Sequence, residues 1–282
     1  MTTSSSSPLG LSTRLSTLCP ELAIVLVRPQ LGENIGACAR AMRNCGLDDL
    51  RLVAPRDGWP NERARAAATG AVGLVDAARV FERVEDAIAD LGLVFATTAR
   101  RRDMLKEAVP LEEAVAELRQ TGVKAGFLFG PERTGLDNED VLLANKVLHI
   151  PLDPSFQSLN LAQAVLLVSY EVFRQRTSSR TGDEATGGSE EAGPEESSVD
   201  RRPATAAELQ NLFEHLEGEL DDANFFRAAP KRTATLHSLR NALQRGGLRR
   251  HEVRLLHGVI SALTGRRKDG VPVRRTGSKT EP

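Results

Sequence analysis

Aromatic side chains are scarce. One tryptophan, one tyrosine and nine phenylalanines supply 4% of 282 residues, against 40% hydrophobic residues overall. The core must therefore be aliphatic and alanine-rich, which suits a layered α/β protein better than a β-sandwich. Cysteine is equally sparse: Cys19, Cys38 and Cys45 are odd in number and lack metal-ligand spacing, which argues against a disulfide framework and for a reducing compartment. Cys38 and Cys45, seven apart, read as core packing. No apolar run reaches membrane-spanning length. The opening Met-Thr-Thr-Ser-Ser-Ser-Ser-Pro has neither the basic nor the apolar region of a signal peptide, so a cytoplasmic protein is expected. A Walker-type phosphate loop, a Gly-x-Gly-x-x-Gly fingerprint and a Gly-x-Ser-x-Gly elbow are all missing. His149, His215, His237, His251 and His257 are scattered, and no metal is expected.

What is present alternates between short apolar runs and helical patterns. Leu22–Val27 reads as a buried strand. Leu50–Val53, Arg79–Phe81, Leu93–Thr97, Gly126–Phe129 and Val147–Ile150 are further strand candidates. Helical stretches lie over 35–46, 61–68, 84–91, 111–120 and 138–145, and an apolar helix starts at Ser158-Leu159-Asn160. Such alternation implies a mostly parallel sheet covered on both faces. Residues 1–20 are expected to be disordered, 21–176 to form the α/β domain and 177–204 to be a flexible acidic linker. Residues 205–265 should form a small all-helical C-terminal domain of about three helices, followed by a disordered tail over 266–282. The net charge of −1 hides an asymmetry: 177–200 hold seven acids and one base, whereas 227–275 hold thirteen Lys and Arg against two acids. A basic helical domain points to a polyanion such as nucleic acid, although a solvated helical surface with a basic tail reads the same way.

The chemistry-bearing residues cluster in loops at strand-to-helix junctions, where α/β proteins bind ligands. In Gly32-Glu33-Asn34-Ile35-Gly36, Asn34 occupies the expected N-cap. Arg40 lies four residues beyond Gly36, where no side chain blocks its path back to the loop; a capped helix with a solvated arginine is the alternative. Phe129-Gly130-Pro131-Glu132-Arg133-Thr134-Gly135-Leu136 puts a carboxylate between glycines directly after a strand. It could hold a ribose, orient an arginine or simply form a charged turn. In the third loop Ser158 can cap the helix, and Asn160 shares a polar stripe with Gln163 and Glu171. Thr97-Thr98-Ala99 leads into Arg100, Arg101 and Arg102, three arginines suited to phosphate or to solvent.

Taken together, Asn34-Ile35-Gly36-x-x-x-Arg40, Gly130-Pro131-Glu132-Arg133-Thr134-Gly135-Leu136 and Ile150-Pro151 followed by Ser158-Leu159-Asn160-Leu161 resemble the three ordered motifs of the SPOUT-class (SpoU/TrmH superfamily) RNA 2′-O-ribose methyltransferases. They are most similar to the TrmJ branch, which modifies position thirty-two of the tRNA anticodon loop. The resemblance implies a trefoil-knotted, mostly parallel sheet, a homodimer and S-adenosylmethionine as methyl donor. It implies cofactor contacts at Thr97, Thr98, Ala99, Gly130, Ile150, Gln157, Ser158 and Leu159. Catalytic or RNA-side roles fall on Asn34, Arg40, Glu132, Ser158 and Asn160, and RNA contacts on Arg100, Arg101 and Arg102 as well as Arg40. Gln157 departs from the Ser often found there, so backbone contacts should survive while any hydroxyl role is lost. Methylation of ribosomal RNA, as in sister branches, and RNA binding without catalysis are the competing readings. Arg40 could be a general base or an electrostatic stabiliser; a guanidinium with a pKa above ~12 accepts a proton poorly.

Overall fold

The computed structural model describes residues 21–98, 106–153, 155–178, 202–226 and 229–265. They fall into two compact units, Met1–Pro194 and Glu195–Pro282. The first contains a seven-stranded sheet. Its strands are β1 (Leu22–Val27), β2 (Asp49–Val53), β3 (Arg79–Phe81), β4 (Leu93–Thr97), β5 (Ala108–Pro110), β6 (Ala125–Phe129) and β7 (Lys146–His149). Its helices are α1 (Gly32–Asn44), α2 (Glu62–Ala67), α3 (Val72–Asp76), α4 (Val84–Ile88), α5 (Leu111–Thr121), α6 (Asn138–Leu143) and α7 (Leu161–Ser178). The strand order is β3-β2-β1-β6-β4-β7-β5, and every pairing is parallel. A parallel sheet needs crossovers and is covered on both faces. This is why β1 and β6 are apolar throughout and fully buried. The core is aliphatic as expected, with Phe95 stacked on Phe127 at 5.2 Å between centroids.

The expected strands form within a residue of their expected bounds. β5 and α3 were not anticipated, because three and five residues are too few to show a period. α7 begins at Leu161 rather than Ser158. α1 begins at Gly32, so Asn34 lies inside its first turn and Leu31 stands at the N-cap. The positions of Cys38 and Cys45 agree with core packing: both are buried and free. Burial, with the nearby Glu132 charge, pushes the Cys38 thiol far above its usual range, so it is unreactive.

Arg51, fully buried in the middle of β2, was overlooked among the apolar strand residues. Its guanidinium donates to Asp49 at 2.8 Å, to the Ala87 carbonyl at 2.6 Å and to Asp90 at 2.5 Å. Lys124 adds a 3.0 Å pair to Asp90, and Arg79 a 2.7 Å pair to Asp49. A buried charge survives only when its donors are satisfied, and this network ties β2 to α4 and to the start of β6.

The second unit consists of α8 (Ala206–Asp222), α9 (Ala229–Arg245) and α10 (Arg250–Thr264). Leu209, Leu212, Phe213 and Val253 form its core, and Thr205 with Glu208 forms a capping box at the start of α8. The basic character expected of this domain is largely cancelled. Residues 202–226 carry six acids and one arginine. Those acids hold the arginines: Arg232 pairs with Glu217 and Asp221, Arg240 with Glu217, and Arg202 and Arg250 with Glu208. Counting charge from residue 227 onward missed α8, which folds back to neutralise it.

Asp90 yields a test. Burial would raise its carboxyl, but the hydrogen bonds from Arg51 and Lys124 outweigh that and hold it down to about 2. Its contribution to stability is therefore complete above the unfolded value of about 4 and fades as pH falls from there towards 2. The melting-temperature gap between wild type and Asp90→Asn should be constant from pH 7 to 5 and close between pH 4 and 2. A gap that stays unchanged over that window would show that Asp90 is not held ionised by the network.

Candidate active site

Parallel strands bring their C-terminal ends to one edge of the sheet, and four of those ends meet here. Val27 leads into the loop 28–31, Thr97 into Thr98, Phe129 into the loop 130–137 and His149 into the loop 150–160. Between them lies a cavity of about 480 Å³ lined by residues from the last three, within the range of small-molecule sites. Thr97, Thr98, Gly130, Ile150, Gln157, Ser158 and Leu159, all expected on the cofactor side, line it, as does Glu132. Ala99, Arg100, Arg101 and Arg102 lie outside the described residues. Leu152, His149, Arg133 and Thr134 also line the cavity and had not been anticipated. His149 had been set aside as one of five scattered histidines, and Arg133 and Thr134 were read within a loop that could be a charged turn.

The loop 130–137 depends on its glycines. A Cβ on Gly130 would lie 2.1 Å from the Leu136 amide nitrogen, and Gly135 has φ +67°. The Gly135 N–H donates to the Pro131 carbonyl at 2.8 Å, closing the turn. The far end is pinned by Arg28, which has left-handed backbone at φ 47°. Its guanidinium reaches Asp137 at 2.9 Å and also Asp140, the two residues of the α6 capping box. Burial raises the Asp140 carboxyl even against the opposing pull of Arg28.

Glu132 joins the loops. Its carboxylate accepts from the Gln30 N–H at 2.8 Å, the Leu31 N–H at 3.2 Å and the Asn34 side-chain amide at 2.8 Å. With Nδ2 given to Glu132, Asn34 turns Oδ1 outward, and Asn160 Nδ2 donates to it at 3.2 Å. Asn160 Oδ1 accepts from Ala162 N–H at 2.8 Å, and Gln163 Oε1 accepts from Asn160 N–H at 3.0 Å. Asn160 is therefore the cap of α7, and Ser158 is not. The capping interaction orients the Asn160 amide, and that leaves its second N–H available to a substrate oxygen. Asn34 caps nothing; it links Glu132 to Asn160.

Gly36 and Arg40 depart from expectation. Gly36 is buried against α2: a Cβ would lie 2.3 Å from the Ala64 carbonyl oxygen. The glycine lets two helices touch and opens no path for Arg40. Arg40 is exposed, and it makes no hydrogen bond or ion pair with Glu132, Asn34 or Asn160. Arginines, backbone turns and a carboxylate–amide chain around a cavity suit the positioning of a polar ligand. Among the described residues no group of three His, Cys, Asp or Glu stands close enough to hold a metal.

Residues 21–170 match the SpoU rRNA Methylase family. The chain belongs to the SpoU methylase family. Residues 207–272 of this SpoU protein match the C-terminal domain of the tRNA methyltransferase TrmJ. It is 34% identical over 244 residues to the tRNA (cytidine/uridine/adenosine-2′-O-)-methyltransferase TrmJ of Pseudomonas aeruginosa, covering 85% of this chain and 92% of that one. It is 32% identical to the tRNA (cytidine/uridine-2′-O-)-methyltransferase TrmJ of Photorhabdus laumondii, covering 86% and 96%. The crystal structure of TrmJ from Z. mobilis superposes with a TM-score of 0.74 at 44% identity, over 86% of this chain and 98% of that one.

Glu132→Gln should separate the carboxylate's structural work from any chemistry. A glutamine turns one N–H towards the donors at Gln30, Leu31 or Asn34, leaving two donors facing each other. Urea unfolding is expected to report a loss of about 1–3 kcal/mol. Wild-type stability in this variant would mean that the carboxylate does not hold the loops together.

Proposed function

We propose that this SpoU protein transfers a methyl group from S-adenosylmethionine to a ribose 2′-hydroxyl of tRNA, at position thirty-two of the anticodon loop, with cytidine, uridine or both accepted. The observation that carries the reading is the convergence of three separate loops on one cavity whose wall holds Glu132, with Glu132 bonded to Asn34 and Asn34 to Asn160. The names of the Pseudomonas and Photorhabdus relatives support tRNA as substrate, as does the TrmJ-type C-terminal domain.

The cavity suits the donor. Ile150, Leu152 and Leu159 offer apolar surface for an adenine ring, Thr97, Thr98 and Ser158 offer hydroxyls, and the loops 130–137 and 150–160 offer backbone groups at close range. When bound, S-adenosylmethionine supplies an electrophilic methyl group on a sulfonium. The protein then has to orient the ribose and stabilise the oxygen as its proton leaves. The uncommitted N–H of Asn160 suits contact with the ribose, and Glu132 keeps Asn34 and Asn160 in register. Arg40 acts through charge, steadying the developing alkoxide and an adjacent phosphate, because a guanidinium holds its proton too tightly to serve as base.

The proposal includes a homodimer. α7 leaves Leu166, Leu167, Tyr170 and Phe173 exposed. At i, i+1, i+4 and i+7 they form one apolar strip that a second copy would cover. It also includes the knot. The strand order, with β7 lying between β4 and β5, is in keeping with it. No described helix is long and apolar enough to cross a membrane, in keeping with a cytoplasmic enzyme.

Mass spectrometry of tRNA and ribosomal RNA from a deletion strain should find one 2′-O-methyl group missing from the anticodon loop and ribosomal RNA unchanged. Loss from ribosomal RNA alone would overturn the tRNA assignment in favour of the sister activity. For Arg40, single-turnover rates of Arg40→Ala should fall about a hundredfold or more, while Arg40→Lys keeps part of the rate with an unshifted pH profile. A pH-rate limb that moves with the lysine would establish proton abstraction by residue 40.

A further inference from the structure

Two further arginines lie near the Glu132 cluster, Arg133 within the second motif and Arg56 outside all three. Arg56 lies on the loop between β2 and α2, which is fastened to the loop between β1 and α1. The Arg28 N–H donates to the Val53 carbonyl at 2.8 Å, and the Arg56 N–H donates to the Pro29 carbonyl at 3.1 Å. Pro29 precedes Gln30 and Leu31, whose N–H groups hold the Glu132 carboxylate. Arg56 is therefore fixed beside the cluster through backbone. A hydrogen bond to Asp57 and, more weakly, the charge of Glu132 hold its guanidinium charged.

Arg133 directly follows Glu132 in the loop 130–137. It lines the cavity, its side chain is exposed, and it makes no ion pair or hydrogen bond among the described residues. The preceding carboxylate, Glu132, is turned towards Gln30, Leu31 and Asn34 and does not neutralise it. Among the described residues the side chain of Arg56 pairs only with its sequence neighbour Asp57, at 3.0 Å with side chains 53% and 37% exposed. Exposed pairs of this kind are worth little, so Arg56 can exchange a carboxylate for another anion at small cost.

We propose that Arg56 and Arg133 form a clamp for RNA backbone phosphates on either side of the ribose presented to the cavity. Guanidinium groups take phosphate oxygens in bidentate fashion, and two fixed positions would set the direction in which the strand crosses the site. The clamp rests on the tRNA-methyltransferase reading and adds residues to its RNA side. Arg133 could alternatively meet the carboxylate of the bound methyl donor, which makes that donor's affinity part of the test.

The experiment uses the full chain with Arg56→Ala, Arg133→Ala and the double variant. tRNA affinity is measured by fluorescence anisotropy across a potassium chloride series, and S-adenosylmethionine affinity by calorimetry. Each single variant should weaken tRNA binding roughly fivefold and lower the slope of log K against log salt by about 0.7–0.9, one phosphate contact each. The double variant should lose both increments, S-adenosylmethionine affinity should stay unchanged, and Arg56→Lys and Arg133→Lys should restore the slope. Wild-type slopes in the alanine variants would overturn the clamp while leaving the enzyme reading standing. Weakened S-adenosylmethionine binding with intact tRNA binding in Arg133→Ala would overturn it by assigning Arg133 to the donor's carboxylate. A wild-type protein that binds neither tRNA nor S-adenosylmethionine would refute the underlying reading, and the clamp with it.

Discussion

The site depends on one carboxylate. Glu132 has three donors from the loop and first turn after β1, two of them backbone N–H groups and the third the amide of Asn34. A charged acceptor strengthens each of these bonds. It also settles the orientation of an otherwise ambiguous side chain: because Asn34 must give its N–H to Glu132, its oxygen is left for Asn160. Asn160 then caps α7 with its own oxygen. The register of three segments far apart in sequence follows from that chain of hydrogen bonds, and the part-buried links from Gln30 and Asn34 to Glu132 are the costliest to leave unpaired.

The sheet makes this arrangement available. With all pairings parallel, every crossover returns the chain so that each strand delivers its following loop to the same edge. Towards the other edge, the buried Arg51 with Asp49, Asp90 and Lys124 binds the strand starts together. The two edges use charge differently. At the starts of the strands, acids surround a buried cation and satisfy it. At the loop edge, among the described residues, Arg40 and Arg133 are exposed and make no ion pair or hydrogen bond, so each can meet an anionic ligand.

The helical unit shows why charge cannot be summed along a segment chosen by eye. Its second and third helices are basic. α8 is acidic, and folding brings Glu208, Glu217 and Asp221 against Arg202, Arg232, Arg240 and Arg250. The cation of Arg240 also sits over the Phe213 ring at 5.3 Å. Arg232, Arg240 and Arg250, part of the charge that looked like an RNA-binding surface, hold helices together instead. An RNA contact by this unit has to come from what remains.

The sequence determined the sheet, because buried parallel strands need unbroken apolar runs and Leu22–Val27 and Leu93–Thr97 are such runs. It also determined which loops carry chemistry, since glycines, an acid and amides at strand ends are legible without coordinates, and the order of the motifs pointed to the family. It did not determine what each of those residues does. Gly36 looked like space for an arginine and is a contact between helices. Ser158 looked like a cap, and Asn160 takes that place. Asn34, also read as a cap, is a bridge. Arg51 and Arg56 were invisible because the Ala87 and Asp90 groups that satisfy Arg51, and the Pro29 carbonyl that fixes the backbone of Arg56, lie on other segments. Apart from the local cap at Asn160, the deciding quantity is a distance between segments remote in the chain. Side-chain type and local spacing fix what a group can bond to, and only packing fixes which partner it meets.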